Sequence, residues 1–548
     1  MPVAQLLDVF GFLAVLLRGV TLLFQSLVIG GLVFNLLVLG PVSHEFPLAA
    51  ETTQKACRRI IGWSALALAL SQLVYVLIDS AILMQTAELG FSEVAGANFF
   101  LAGAAAVVAG VFMAFMALGR GKLQMVAVDL PALVILGASL MTSHAAARMD
   151  SRLILAFFTL VHQSATGAWI GGLPYLLTAL RRCAIEPARS ICQRFSRLAL
   201  MSVALILAAG LGLSALYIRT PDALYGTSYG VMVVSKIVML ALLLLLGGGN
   251  FFAVRGLNRN APGLLLRLRR FAEVEVGIGF TVILAAASLT SQPPAVDLTV
   301  DRVTRSQIAE RMTPRWPRLR SPALSELSPV TPLSAEEAVA PGFQRLQSFI
   351  PGQSFSPSTP ADIAWSEYNH HWAGFVVLAA GLFAVAAGLL GLGWARHWPL
   401  AFIGLAAFLF LRADAENWPL GPRGFWESFL VAEVLQHRIF VLLIVTFAVF
   451  EWGVQTGRLI SRKAALVFPL VCALSGALLL AHMHSLGNVK EELLAELSHI
   501  PLGLAAILAG WTRWLELRLP DKNKHIPAKI WPGCLVLVGI ILLLYRES

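Results

Sequence analysis

The sequence predicts an all-α, polytopic transmembrane helical bundle. Of its 548 residues, 57% are apolar and only 13% are charged, and the mean hydropathy is +0.76. A water-soluble protein carries about 25% charged residues, so this chain has too few to cover a water-exposed surface. Uncharged stretches long enough to cross a bilayer recur from Leu22 to Leu544. Together these observations exclude a soluble enzyme, a DNA-binding protein and a disulfide scaffold.

The transmembrane elements follow from the length of the apolar stretches, because a spanning helix needs about 20 mostly apolar residues. The tenth stretch is short and fits an extended or re-entrant segment as well as a span. The fourteen candidate spans lie near residues 15–39, 60–84, 97–119, 130–147, 152–180, 198–218, 230–252, 273–290, 372–394, 398–411, 437–456, 465–484, 497–513 and 530–545.

The orientation follows from the basic residues of the short loops, which are enriched on the cytoplasmic side. Loops after odd-numbered spans carry twenty-four Lys or Arg, and the other short loops carry seven. We therefore expect a multi-pass protein of a bacterial inner (plasma) membrane with both termini in the periplasm. The net charge of +10 then reflects cytoplasmic loops, and no nucleic-acid partner is expected. The stretch Met1 to Leu17 lacks the basic region of a cleaved signal peptide.

Residues 292–368 break the pattern of spans. They contain eleven prolines, mixed charges and no apolar run long enough to cross a membrane, which is typical of an extended connector. It is either a tether between two membrane halves or a lid over a site on the outer face. The predicted organisation is thus an eight-helix membrane domain at 1–291, a periplasmic connector at 292–368 and a six-helix membrane domain at 369–548.

The histidines are unevenly distributed on this topology. Three of the eleven lie on cytoplasmic connections, and the other eight lie on the outer side or in the outer half of the bilayer. Ionisable groups within a membrane are costly and usually functional, and imidazole suits copper, zinc and iron. The alternative is that interfacial histidines bond to carbonyls and water at helix ends. The candidate ligands are His144, His162, His370, His371, His437, His482, Met483, His484 and His499.

His162 is the strongest single candidate. It lies ten residues beyond Arg152, and a rise of 1.5 Å per residue puts it about 15 Å deep, near the midplane. On a regular helix it shares a face with Thr166 and Trp169, and the neighbouring glycines leave room for close helix packing. Packing alone does not explain a buried histidine.

Met483 between His482 and His484 adds a soft thioether ligand that favours Cu(I). Residues two apart on a regular helix do not share a face, so both rings reach one ion only where the helix frays. The five cysteines contain no CxxC pair, so neither a zinc site of thiolates nor a disulfide framework is predicted. A P-loop for nucleotide binding is also missing from the sequence.

Several of these residues resemble the copper resistance protein D (CopD) family. The likeness rests on Ser143-His144-Ala145, on His162 followed by Trp169-Ile170-Gly171-Gly172-Leu173, on Asn258-Arg259, on Glu275 and on Pro293-Pro294. It covers roughly the first 295 residues, and family members more often have Gly where Ser143 stands. The remaining half, with its motifs WSEYNHHWAG, RADAENWPLGP, EVLQHRIF and AHMHSLGN, resembles the longer membrane extension of some CopD-type proteins.

The resemblance implies copper import or copper tolerance at the inner membrane, with His144 and His162 as ligands and no enzymatic reaction. The copper ion would be cargo or a bound cofactor. The expected partners are the lipid bilayer and a periplasmic copper-binding protein that delivers the ion. The helix of His162 also resembles that of the HemJ-type protoporphyrinogen oxidases, in which a transmembrane histidine is associated with haem b. A b-type haem membrane protein with a redox or sensing role, whose iron two histidines would ligate, is therefore the alternative.

Asp414 and Glu416 accompany these histidines on a predicted outer loop. They either orient histidines as hydrogen-bonding carboxylates or form a solvated cluster of ion pairs, which is worth little. The sequence favours the solvated cluster.

Overall fold

The computed structural model describes residues 3–119, 126–256, 262–298, 302–327, 359–429, 431–481 and 489–547. These residues are helical or irregular, and within them the only β-type pairing is a single bridge between Asn417 and Arg423. The prediction of an all-α protein is thereby confirmed for the described parts of the chain.

Two compact units divide the chain. The N-terminal unit comprises Leu13–Pro221 and Lys236–Asp297, and the C-terminal unit comprises Met1–Phe12, Asp222–Ser235 and Leu298–Ser548. The predicted boundaries at 291 and 368 stay a prediction.

The longer helices of the first part of the chain are α1 Val3–Val33, α2 Pro47–Thr86, α3 Asn98–Leu118, α4 Val126–Met141, α5 Arg152–Thr166, α6 Leu173–Arg182, α7 Ile185–Tyr217, α8 Ser228–Arg255 and α9 Pro262–Ser291. Those of the second part are α10 Pro360–Leu389, α11 Leu400–Arg412, α12 Ala432–Gln455, α13 Val467–Leu480, α14 Val489–Arg518 and α15 His525–Leu543.

Eleven helices among the described residues are long and apolar enough to cross a membrane, so the chain is a multi-pass membrane protein. They correspond to eleven of the fourteen predicted spans, including the short tenth, which forms Gly393–Arg412. Of the other three, two are shorter apolar helices, Asp129–Met141 and Ala464–Leu480, and the third lies within α14. The count of fourteen and the orientation stay predictions.

Two departures from regular helix affect the candidate residues. The predicted span 130–147 is interrupted, because α4 ends at Met141 and Ser143 adopts an extended conformation before a short helix, His144–Ala147. The predicted span 152–180 contains a π-helical turn at Gly167–Gly171. A π turn changes the angular register of the residues beyond it, so the assumed common face of His162 and Trp169 does not hold.

Glycines bring α1 and the π turn into backbone contact. A Cβ built on Gly171 would lie 1.8 Å from the Ser26 carbonyl oxygen, and one built on Gly30 would lie 2.1 Å from the Gly171 carbonyl carbon. No side chain fits at such distances. The predicted packing role of these glycines is confirmed, and it fixes the helix that carries His162 against α1.

An aromatic core holds the helices of the C-terminal unit together. The Trp398 ring contacts Phe468 and Trp531, with centroids 5.7 and 5.6 Å apart, and Phe402 meets Phe447 at 4.7 Å. All five side chains are buried. Since they come from segments distant in sequence, this packing fixes the relative positions of α11, α12, α13 and α15.

Candidate metal-binding site

His162 lies in α5 with one ring nitrogen unused. Its Nδ1 is buried and has no hydrogen-bond partner among the described residues. The ring interacts with the backbone of Ile206 on α7, and the Lys236 ammonium acts on it electrostatically. Next to it, the Gln25 amide donates to Gln163 Oε1 at 3.2 Å. A buried nitrogen lone pair without a donor costs free energy, unless a ligand binds there.

His144 resembles His162 in this respect. The Nε2 atom of His144 is buried and has no hydrogen-bond partner in the described part of the chain, and the ring meets Tyr217 edge-on at 6.4 Å. The short helix of His144 lies beyond the end of α4, outside the spanning segments. Burial lowers the pKa of His144, which keeps the ring neutral and its lone pair available near neutral pH.

His144 and His162 have different interaction partners in the structure. The interactions of His144 are with Tyr217, the backbone of Leu289 and the charges of Arg18, Arg148 and Asp297. Those of His162 involve different elements. The N-terminal unit therefore holds two separate imidazoles.

Three predicted histidines of the C-terminal unit converge instead. The His370 ring on α10 lies 5.9 Å from the His499 ring on α14, and the charge of His437 on α12 acts on His370. The His370 ring also stacks on Tyr545, with centroids 3.8 Å apart and planes inclined by 18°. We name His370, His437 and His499 the histidine cluster.

Carboxylates accompany the histidine cluster. Glu547 accepts from Tyr545 Oη at 2.8 Å and from Ser366 Oγ, and its charge acts on His370. Burial alone would raise the pKa of Glu547, but the hydrogen bonds from Ser366 and Tyr545, with the charges of His370 and Arg311, outweigh it and lower that pKa. An ionised carboxylate beside the cluster favours binding of a cation.

Asp414 orients one histidine of the cluster. Its Oδ1 lies 2.8 Å from His437 Nδ1, and its side chain is only 9% exposed. The solvated cluster favoured by the sequence was therefore wrong for Asp414, which is buried against the ring. The prediction of a solvated ion pair does describe Glu416, which is 53% exposed and pairs with Arg423 at 3.3 Å. Carboxylate bonding to the far nitrogen of a ring is the usual support of a metal-binding histidine.

His371 has a different environment from its neighbour. Its Nδ1 accepts a hydrogen bond from the Arg318 backbone N–H at 2.7 Å, and its Nε2 donates to the Tyr545 carbonyl at 2.8 Å. Both ring nitrogens are used, and the side chain is buried. As placed, His371 has no nitrogen left for a metal ion, and it ties Arg318 of the proline-rich segment to α10.

His482, Met483 and His484 lie outside the described residues. Within the described residues, no group of three or more His, Cys, Asp or Glu side chains is positioned to hold a metal ion. The histidine cluster therefore brings candidate ligands together without forming a complete coordination shell. Tyr545 and Glu547 were missed by sequence reasoning, because no local spacing links them to His370, which is so distant in the chain.

Comparison with known proteins agrees with the N-terminal resemblance. Residues 189–289 match the family model described as Copper resistance protein D. The Copper transport protein CutJ of Bacillus subtilis (strain 168) is 29% identical over 160 residues, which cover 28% of this chain and 28% of that relative. No solved structure matches the chain. The protein thus contains a CopD family domain at residues 189–289, and it is distantly related to a copper transport protein.

Proposed function

We propose that the protein transports or handles copper at the inner membrane, in copper import or copper tolerance. The observation that carries the proposal is the buried Nδ1 of His162, in the middle of an apolar helix, which has no hydrogen-bond partner among the described residues. His162 lies in the same unit as the CopD domain. An intramembrane ring with a free lone pair is a ligand position for a passing ion. The related copper transport protein supports copper as that ion.

The two units have different roles in this proposal. His162 and His144 each offer one nitrogen, which suits weak, transient binding of an ion that has to leave again. The histidine cluster and its carboxylates offer several donors and suit stronger binding. His482, Met483 and His484 remain proposed ligands on sequence grounds. The proposed role involves no enzymatic reaction. A periplasmic copper-binding protein is the proposed donor of the copper ion.

The purified full-length protein tests the proposal through its cofactor content. We expect copper by elemental analysis and no Soret band, whereas a Soret band would support the haem b alternative. A variant with His162, His370, His437 and His499 replaced by Ala should lose most of the copper. A matched variant with His44, His397 and His525 replaced by Ala should keep it, because these three side chains are exposed. Equal copper in both variants would contradict the proposal.

A further inference from the structure

A cavity of about 200 Å³ lies within the N-terminal unit, between α6, α7, α8 and α9. Most of its wall is apolar, and its polar groups include Glu275 on α9, Asn250 on α8 and the thiol of Cys192 on α7. The run Gly247-Gly248-Gly249 precedes Asn250 and leaves this part of α8 without side chains. Neither His144 nor His162 lines the cavity.

Glu275 is a buried carboxyl with one amide partner. Its side chain belongs to a residue that is only 3% exposed, and the Asn250 amide donates to its Oε1. A Cβ built on Gly247 would lie 4.0 Å from Glu275 Oε2 and 3.9 Å from the Trp169 ring. The second carboxyl oxygen therefore faces the same space as the indole.

The charge of Glu275 has no counterpart in the part of the chain that the structure describes. Among the described residues, no cationic side chain acts on this carboxyl. Two residues earlier, Glu273 is equally buried, but Arg270 pairs with it at 2.7 Å and Arg181 at 3.3 Å. Of two neighbouring buried carboxylates, one is thus paired with arginines and the other has no cationic partner among the described side chains.

An unpaired carboxylate in an apolar membrane interior is unstable by several kcal/mol. It is neutralised either by a proton or by a bound cation. One carboxylate neutralises one positive charge, so the matching cation is monovalent. The electron-rich face of Trp169 attracts a cation, and the thiol of Cys192 is a soft donor that favours Cu(I).

We propose that Glu275, with Asn250, is a membrane-embedded site for a soft monovalent cation, in which the cation exchanges with a proton. When the cation binds, the carboxyl O–H bond breaks, the proton leaves to water, and the carboxylate takes the cation; no electron is transferred. The proposal rests on the proposed copper transport for the identity of the cation. It makes that transport proton-coupled.

The site lies toward the basic, predicted cytoplasmic end of the unit. Only one residue separates Glu275 from Glu273. The partner of Glu273, Arg181, is 60% exposed and lies at the end of the helix that follows the π turn. Trp169 follows His162 by seven residues, or about 10 Å of helix rise. His162 and the cavity therefore lie one after the other along one helical segment. This order suits the cavity as the site where the ion is released.

Infrared difference spectra of the full-length protein in detergent test the proposal, with Ag(I) as a redox-inactive probe. We expect Ag(I) to remove the carbonyl stretching band of a protonated carboxyl in the wild type. Glu275→Gln should abolish this change. Glu273→Gln, which alters a carboxyl already paired with arginines, should retain it.

A second variant covers the outcome in which Glu275→Gln does not fold. Gly247→Leu fills the space between Trp169 and Glu275 and keeps the carboxyl. We expect its protonated band to be present but unaffected by Ag(I). An unchanged Ag(I) response in Glu275→Gln or Gly247→Leu, or no response in the wild type, would overturn the proposal. If the copper content did not depend on the histidines, the proposed function would be contradicted. The Ag(I) result at Glu275 would still stand.

Discussion

The two units contain the same kind of side chain in contrasting surroundings. In the N-terminal unit, His144 and His162 each have a buried nitrogen that no group among the described residues hydrogen-bonds. In the C-terminal unit, His370 and His499 lie 5.9 Å apart, and Asp414 bonds to His437 at 2.8 Å. The comparison teaches that the number of histidines does not define a metal site. The contacts of the other ring atoms distinguish a histidine that binds an ion transiently from one that holds it.

The largest expected effect follows from breaking the histidine cluster. His370→Ala removes the ring that contacts His499 and stacks on Tyr545, and it should lower the bound copper of the purified protein about tenfold or more, as loss of a ligand does. Elemental analysis after removal of free copper measures this. His397→Ala in the same unit is the control, because His397 is exposed and accepts a hydrogen bond from Trp452. Copper retained by His370→Ala would contradict a holding role for the cluster.

Removing the carboxylate that orients His437 should have the next largest effect. Asp414→Asn keeps the shape of the side chain but weakens its bond to Nδ1, and we expect copper affinity to fall by about tenfold, the lower end for such partners. Competition with a chelator of known affinity measures the change. The exposed Glu416 offers the matched variant Glu416→Gln, which should bind copper as the wild type does. Equal affinity of both variants would show that the Asp414 bond is structural only.

Within the adjacent pair His370 and His371, a variant of His371 tests a packing role separately from a metal-binding role. His371→Ala leaves the Arg318 N–H and the Tyr545 carbonyl without their partner. Tyr545 is buried, and a buried group left unsatisfied costs about 1–3 kcal/mol. Thermal unfolding should therefore begin at a lower temperature, while the copper content per folded molecule stays unchanged. A loss of copper equal to that of His370→Ala, without loss of stability, would contradict this assignment.

The smallest effect is expected at the ion pair near His144. Arg148 lies 3.0 Å from Asp297, which is half exposed, and such pairs contribute less than about 1 kcal/mol. Arg148→Gln should change the unfolding temperature only slightly, and still less at high salt, where the pair is screened. Melting curves at two salt concentrations measure this. A large, salt-independent loss would assign Arg148 a buried structural role.

Hydropathy and glycine spacing predicted much of the fold. The eleven long apolar helices coincide with predicted spans, because the length needed to cross a bilayer is a strong constraint. The close approach at Gly171 was also predictable, because only glycine permits backbone contact. The π turn at Gly167–Gly171 and the break before His144 were not, since local helical geometry depends on tertiary packing.

The candidate site was only partly predictable. The histidines themselves were identifiable because ionisable groups are rare in apolar segments. Their partners were not: Tyr545 and Glu547 follow the last helix, and only tertiary folding brings them to His370. Glu275 was visible as a charge in an apolar helix. That Glu273 has arginine partners and Glu275 has none among the described residues is a property of the packed helices.

We propose that the C-terminal unit holds copper and that the N-terminal unit lets it move. Parallel measurement of bound copper and of copper flux into liposomes, for His162→Ala and His370→Ala, tests it most directly. We expect His162→Ala to lose copper flux by about tenfold, as for an essential intramembrane ligand, and to keep its bound copper. His370→Ala should lose bound copper. Wild-type flux in His162→Ala, or equal loss of bound copper in both variants, would contradict it.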